Sequence, residues 1–138
     1  MLNLSAEASA ALAERLRTEG VAWITTVTAD GQPQSSPVWF LWDGSEFLVY
    51  AQPRSWKVRN IRANPRVSLH LNSDREGGQV ATFEGSARIC EAEPPGHEVD
   101  AYLAKYREGI AGIGMTPEQM GTEYSTALRI TPARVRVY

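Results

Sequence analysis

Gln52-Pro53-Arg54-Ser55-Trp56-Lys57-Val58-Arg59-Asn60-Ile61-Arg62-Ala63-Asn64-Pro65-Arg66-Val67-Ser68-Leu69-His70-Leu71 contains a break, a short helix and a strand in succession. Gln52-Pro53 interrupts whatever precedes it, and Ser55 is placed to cap a helix over 56–63. Pro65 ends that helix, because the residue before a proline avoids helical backbone. Val67, Leu69 and Leu71 then alternate with Ser68 and His70, the period of a half-buried strand. Five cations, Arg54, Lys57, Arg59, Arg62 and Arg66, fall here, and no acidic residue occurs anywhere in 47–73.

Upstream, Ser5 can cap a helix over 6–19, in which Ala8, Leu12 and Leu16 recur at helical spacing and Gly20 marks the stop. The period then changes. Residues 21–28 are rich in β-branched side chains, and Asp30-Gly31 is a hairpin signal. A return strand is expected over 34–42, and Asp43-Gly44 opens a further hairpin into a strand over 46–50. Along 34–42, Val38, Phe40 and Trp42 share one face while Trp39 and Leu41 share the other. Both faces are apolar, so both need cover: one by the barrel interior, the other by a second subunit, a planar ligand or a helix of the same chain.

Downstream, a turn is expected over 75–78, followed by a long strand over 79–91 with Gly85 at a bend. Pro94-Pro95 should open a helix running to about residue 105. Thr116-Pro117-Glu118-Gln119 has the form of a capping box with proline at the first helical position. A strand over 124–130, a turn at Thr131-Pro132 and a closing strand to Tyr138 complete the chain. Six or seven strands joined by tight hairpins, with helices set between them, predict a mostly β, mainly antiparallel barrel with decorating helices in one domain over 1–138.

The 138 residues, 43% hydrophobic and 22% charged, suit a single globular domain. The net charge of −2 hides an asymmetry: the basic stretch carries +5 and the remainder of the chain −7. A local anion site on an acidic molecule is the expectation. A nucleic-acid interface is not expected, since it would spread cations over a face with exposed stacking aromatics. No run approaches the roughly 18 apolar residues of a membrane span. Met1-Leu2-Asn3-Leu4-Ser5 lacks the basic and apolar regions of a secretory leader, and the lone Cys90 fits a reducing compartment, so a cytoplasmic protein is expected.

His70, His97 and Cys90 are scattered, so no metal site is expected. Cys90 reads as strand packing, His70 as a satisfied strand residue and His97 as a surface residue. Gly109-Ile110-Ala111-Gly112-Ile113-Gly114 has reversed dinucleotide spacing and no preceding strand, and is expected to be a flexible connection between helices that could close over a pocket. No nucleophile elbow or Walker loop is present. The anion site has a physical basis. The first amides of a helix lack internal partners, the helix dipole adds partial positive charge, and Arg54, Ser55 and Lys57 stand at that end. A solvated basic helix is the competing account of the same residues.

The hairpin at Asp30-Gly31, the strand around Pro37-Val38-Trp39-Phe40, the strand ending at Tyr50 and the whole passage from Pro53 to Val67 together resemble the pyridoxamine 5′-phosphate oxidase-like split barrels. Glu84-Gly85-Ser86-Ala87 and Arg129-Ile130-Thr131-Pro132-Ala133-Arg134-Val135 extend the resemblance over nearly the full chain. Within that group it looks most like the short flavin and deazaflavin oxidoreductases that use coenzyme F420. The resemblance implies a split β-barrel homodimer with cofactor sites at the subunit interface. The ring system would lie against the strand over 36–40, with Ser36, Pro37, Val38 and Trp39 as contacts and backbone groups holding its polar edge. Arg54, Ser55 and Lys57 would hold phosphate, with Arg59 near an anionic tail. Gln34 and Tyr50 would make further contacts, as would Gln32 and Gln79. The implied reaction is hydride transfer between reduced cofactor and a small conjugated acceptor. No proton donor stands out; Tyr124 or a bound water is a candidate. FMN as cofactor, or a protein that only binds the cofactor, are the alternatives. The C-terminal substrate segment of the true pyridoxamine-phosphate oxidases is not found, so vitamin B6 oxidation is not expected.

Overall fold

A computed structural model describes residues 3–138; Met1 and Leu2, on which part of the leader expectation rests, lie outside the described residues. Seven strands, β1 (Ala22–Val27), β2 (Pro33–Val38), β3 (Leu41–Trp42), β4 (Phe47–Ala51), β5 (Arg66–Leu71), β6 (Ala81–Ile89) and β7 (Thr126–Val137), form one antiparallel sheet in the order β2-β1-β5-β6-β7-β4-β3. Four helices decorate it: α1 (Ala6–Thr18), α2 (Trp56–Ala63), α3 (Asp100–Gly112) and α4 (Pro117–Glu123), with a 3-10 turn over Gly96–Glu98 before α3.

The sheet order requires curling. β2 and β3 are the two outer strands, yet only Trp39 and Phe40 separate them in the chain. Three Cα steps reach at most about 11 Å. Across a flat seven-stranded sheet the outer strands would stand about 29 Å apart at roughly 4.8 Å per strand. The sheet is therefore rolled until its edges nearly meet, and the split lies at Trp39-Phe40. This corrects the single strand expected over 34–42: the chain must leave one edge and join the other, so the ladder breaks there.

Two cores follow from strand alternation. Phe47, Val49 and Ala51 of β4 face the barrel interior with Val38, Phe40, Ile24, Phe83 and Leu128, and Leu12 and Leu16 of α1 pack into the same cluster. Leu48 and Tyr50 face the other way, into a second cluster with Tyr102, Tyr106 and Ile110 of α3 and Met120 of α4. Spacing of four along α3 puts those three side chains on one stripe. Trp39 and Leu41 pack against this second cluster, so a helix of the same chain covers the second apolar face around the split.

Several local expectations hold. Ser5 caps α1, its Oγ accepting from the Ala8 amide at 3.1 Å, and Thr116 and Gln119 form the reciprocal capping box. Gly31 and Gly44 take the positive φ values of 93° and 101° that their hairpins need. The His70 ring lies 2.9 Å from the Leu71 carbonyl through Nδ1.

Three boundaries differ. Pro94-Pro95 lead into the 3-10 turn, and α3 begins only at Asp100, because Gly96 is wedged against Tyr50 and Met120. α3 then runs on through Gly109 to Gly112, so most of the glycine-rich segment is helix rather than connection. Ile110, fully buried, extends the core stripe, and its burial outweighs the roughly 1 kcal/mol that each glycine costs a helix. β7 is continuous across Thr131-Pro132. Ala133 is the extra residue of a bulge opposite Glu84-Gly85, which lets the strand bend without a turn.

Candidate functional site

α2 packs its Val58 and Ile61 into the barrel, which points its first turn at the β2 edge. Between them lies a groove of about 310 Å³ lined by Thr26, Gln34, Ser35, Ser36, Arg54, Ser55, Trp56 and Lys57. Ser55 has the backbone of a helix cap, with ψ at 156°, but its side chain caps nothing. Its Oγ is sealed from solvent and has no hydrogen-bond partner. Lys57 is half-buried, and burial pulls its ammonium below the usual lysine range. Among the described residues neither Arg54 nor Lys57 has an acidic partner within ion-pair distance. Two cations without an acidic partner, an unpartnered hydroxyl and the free amides of a helix start thus share one groove, a donor set whose chemistry suits an anion.

A second cavity of about 370 Å³ continues from the first, sharing Ser55 and Lys57. Pro37, Val38, Trp39, Tyr50, Tyr102, Ile113, Met120 and Tyr124 are among its lining residues, and it is mostly apolar. Trp39 is fixed by α3: its ring stacks on Tyr106 with centroids 4.6 Å apart at 6°, and its edge lies against Gly109, where a Cβ would come within 3.3 Å. Tyr50 donates to the Pro94 carbonyl at 2.6 Å, and burial pushes its phenol up to about 12.

The expected site residues converge with few exceptions. Gln34, Ser36, Arg54, Ser55 and Lys57 line the polar groove, and Pro37, Val38, Trp39 and Tyr50 line the apolar chamber. Arg59 is exposed and lines neither, as does Gln32, whose Nε2 turns back to the Pro33 carbonyl. Gln79 lines a different cavity, beside Arg15 and Tyr138. His97, expected on the surface, is half-buried with its Nδ1 sealed, packed against Gly121 of α4. Among the described residues no cluster of His, Cys, Asp and Glu could hold a metal ion, and no helix is long and apolar enough to cross a membrane.

Sequence reasoning missed Thr26 and Asn60. The Asn60 Nδ2 donates to Thr26 Oγ1 and Gln34 Oε1, both at 2.9 Å, tying α2 to β1 and β2 beneath the groove. A neutral amide among four cations of the helix segment was the available signal. It also missed Tyr102 and Met120, which no local pattern ties to the basic segment.

The family model described as pyridoxamine 5′-phosphate oxidase matches residues 8–138. None of the curated proteins matches this chain. A conserved hypothetical protein of Mycobacterium tuberculosis, Rv2991, is 26% identical, with a TM-score of 0.74 over 96% of this chain and 84% of that one. A solved F420 reductase is 22% identical, with a TM-score of 0.64 over 89% and 94% of the two chains. HutZ, a heme storage protein of Vibrio cholerae, is 18% identical, with a TM-score of 0.64 over 92% of each. The last two likenesses carry the fold alone, and their names span redox and storage proteins on one barrel. With sheet order, bulge and basic helix start in place and the family match running to the final residue, the chain belongs to the pyridoxamine 5′-phosphate oxidase family.

Proposed function

We propose that this protein binds a phosphorylated deazaflavin, coenzyme F420, and serves hydride transfer between that cofactor and a small conjugated acceptor. The observation that carries this is the meeting of a polar, cation-lined groove and an apolar chamber at Ser55 and Lys57. A ligand with a phosphate at one end and a flat ring system at the other suits both cavities, whose volumes fall in the range of ligand sites.

The residues divide the work. Arg54, Ser55 and Lys57 hold phosphate; Gln34 and Ser36 flank it; Pro37, Val38, Trp39 and Tyr50 pack against the ring. A reduced deazaflavin or flavin supplies the hydride when bound. The chain orients the acceptor and keeps water out of the apolar chamber. F420 is favoured over FMN because the exposed Arg59, Arg62 and Arg66 continue past the groove without an acidic partner among the described residues. A polyanionic tail would use those charges, whereas FMN ends at its phosphate. The protein is further proposed to act as a homodimer, with a second copy covering the β2 edge, where Pro37 and the 68% exposed Trp56 face solvent.

Titration with oxidised F420 and with FMN, followed by fluorescence, tests the reading. Micromolar or tighter F420 binding, weakened tenfold or more by Lys57→Ala, supports it; that factor is about 1.4 kcal/mol, the scale of one charged contact. A preference for FMN moves the assignment to a flavin reductase or oxidase, and binding of neither removes it. Sedimentation velocity reports the oligomeric state, and a monomer at micromolar concentration would end the dimer proposal.

A further inference from the structure

The apolar chamber contains a hydrogen-bond donor to which the protein gives nothing to do. Tyr102 of α3 lines the chamber and is 2% exposed. Its ring is set edge-on against Tyr50, centroids 5.0 Å apart at 82°, and tilted against Tyr106 at 4.9 Å. Unlike Tyr50 and Tyr106, whose hydroxyls bond backbone carbonyls, the Tyr102 hydroxyl makes no hydrogen bond to any described residue. It is also absent from the polar atoms that are both sealed and unpartnered, which are Ser55 Oγ and His97 Nδ1. The hydroxyl therefore keeps an opening, and the chamber is what the residue lines.

Burial, with Tyr106, Tyr50 and Tyr124 close by, pushes the Tyr102 phenol above its ordinary range, so it stays protonated and offers a donor. Buried polar groups are nearly always paired, and a free donor in an apolar wall selects strongly for a ligand that can accept from it. The other lining residues narrow the ligand further. None is acidic and Lys57 is the single charged one, so a cation finds no partner there. Ile113, Met120 and the ring of Tyr124, which the cofactor assignment leaves unused, supply apolar contact.

We infer that Tyr102 sets which small molecule the chamber accepts, its hydroxyl donating to a carbonyl oxygen on a flat, uncharged, conjugated ligand. As the acceptor substrate of the reaction, that ligand rests on the function proposed above; as a ligand of the chamber, it does not. Tyr102 is thus a specificity-determining residue, separate from the phosphate-holding set.

The test uses the full chain and two probes of nearly the same shape, the aryl ketone 1-tetralone and its carbonyl-free analogue tetralin, with binding followed by calorimetry. The wild type is expected to bind 1-tetralone at least tenfold more tightly than tetralin. Tyr102→Phe should erase that preference, leave tetralin binding within twofold and leave the thermal midpoint unlowered, since no protein hydrogen bond is lost. An F420 titration of the same variant separates the cofactor from the acceptor: a tenfold loss of F420 affinity with the ketone preference intact would overturn the inference. Equal affinity for the two probes in the wild type overturns the inference, as does failure of the wild type to bind 1-tetralone. A preference that survives Tyr102→Phe and vanishes in Tyr124→Phe overturns it too. If neither cofactor binds but the ketone preference depends on Tyr102, the cofactor reading falls and the assignment of Tyr102 stands.

Discussion

The hydroxyl oxygen of Tyr106 lies 2.8 Å from the amide nitrogen of Phe40, accepting its hydrogen bond at the split between β2 and β3. The same hydroxyl is 2.8 Å from the Gly20 carbonyl and 3.0 Å from that of Phe40. Residues that leave a ladder in a buried setting must find other partners, and α3 brings them. Because Trp39 stacks on the same ring, the clamp that closes the split also sets a wall of the apolar chamber.

Tyr106→Phe keeps the stacking surface and removes the clamp. It should lower stability by about 1–3 kcal/mol, the scale of leaving buried polar groups unpaired. Urea unfolding measures it. A change below about 0.5 kcal/mol would mean that Phe40 is satisfied without the hydroxyl.

Lys105 offers a pH signature. Its Nζ donates to the Phe40 carbonyl at 2.9 Å and lies 3.7 Å from the Phe40 ring centroid; burial, outweighing Glu19, pulls its pKa from 10.5 to about 8. Above the folded value the unfolded chain holds the extra proton, so stability should rise with pH from about 8 toward 10. Lys57, also lowered by burial, adds to the same limb. Past the ordinary tyrosine value of 10 the sign reverses, since Tyr50, pushed up to about 12, keeps a proton that the unfolded chain loses. Unfolding free energies across this range should show a maximum, with a shallower rise in Lys105→Met. A wild-type curve that falls steadily from pH 8 would contradict the burial of Lys105.

Ser55→Ala separates binding from folding. The Oγ has no partner, so its removal should leave stability unchanged or slightly raised. Phosphate-ligand affinity should fall about three- to tenfold, one neutral hydrogen bond. A loss of stability without a loss of affinity would show that the hydroxyl serves the fold.

Gly85 and Gly112 should respond in opposite directions. A Cβ at Gly85 would come 2.1 Å from the Thr131 carbonyl oxygen and 2.9 Å from the Pro132 Cα, both backbone atoms of the bulge. Gly85→Ala should therefore cost about 3 kcal/mol or more. At Gly112 nothing lies within 4 Å, and alanine should be neutral or stabilising by up to about 1 kcal/mol. Thermal unfolding of the two variants checks the contrast.

Local chemistry was legible in the sequence. Ser5, Thr116 and Pro117 mark helix starts, Asp30-Gly31 and Asp43-Gly44 mark hairpins, and Ser55 with Pro65 bounds α2 at its observed ends. Each depends on backbone preferences a few residues long. The alternation at Val38, Trp39, Phe40, Leu41 and Trp42 also assigned their faces correctly, and the basic segment singled out by charge supplies Arg54, Ser55 and Lys57 to one groove.

Tertiary structure decided the rest. No pattern within 34–42 says that the strand must break, because the break comes from joining opposite edges of a sheet whose order is set by residues up to a hundred positions away. α3 passes Gly109 and runs to Gly112 because Ile110 finds a core built by β4 and α4. Thr26, Tyr102 and Met120 enter the cavities from three different elements, and only the tertiary fold brings them to Ser55 and Lys57. Short-range preferences act through neighbouring backbone, whereas the cavity is made by closure.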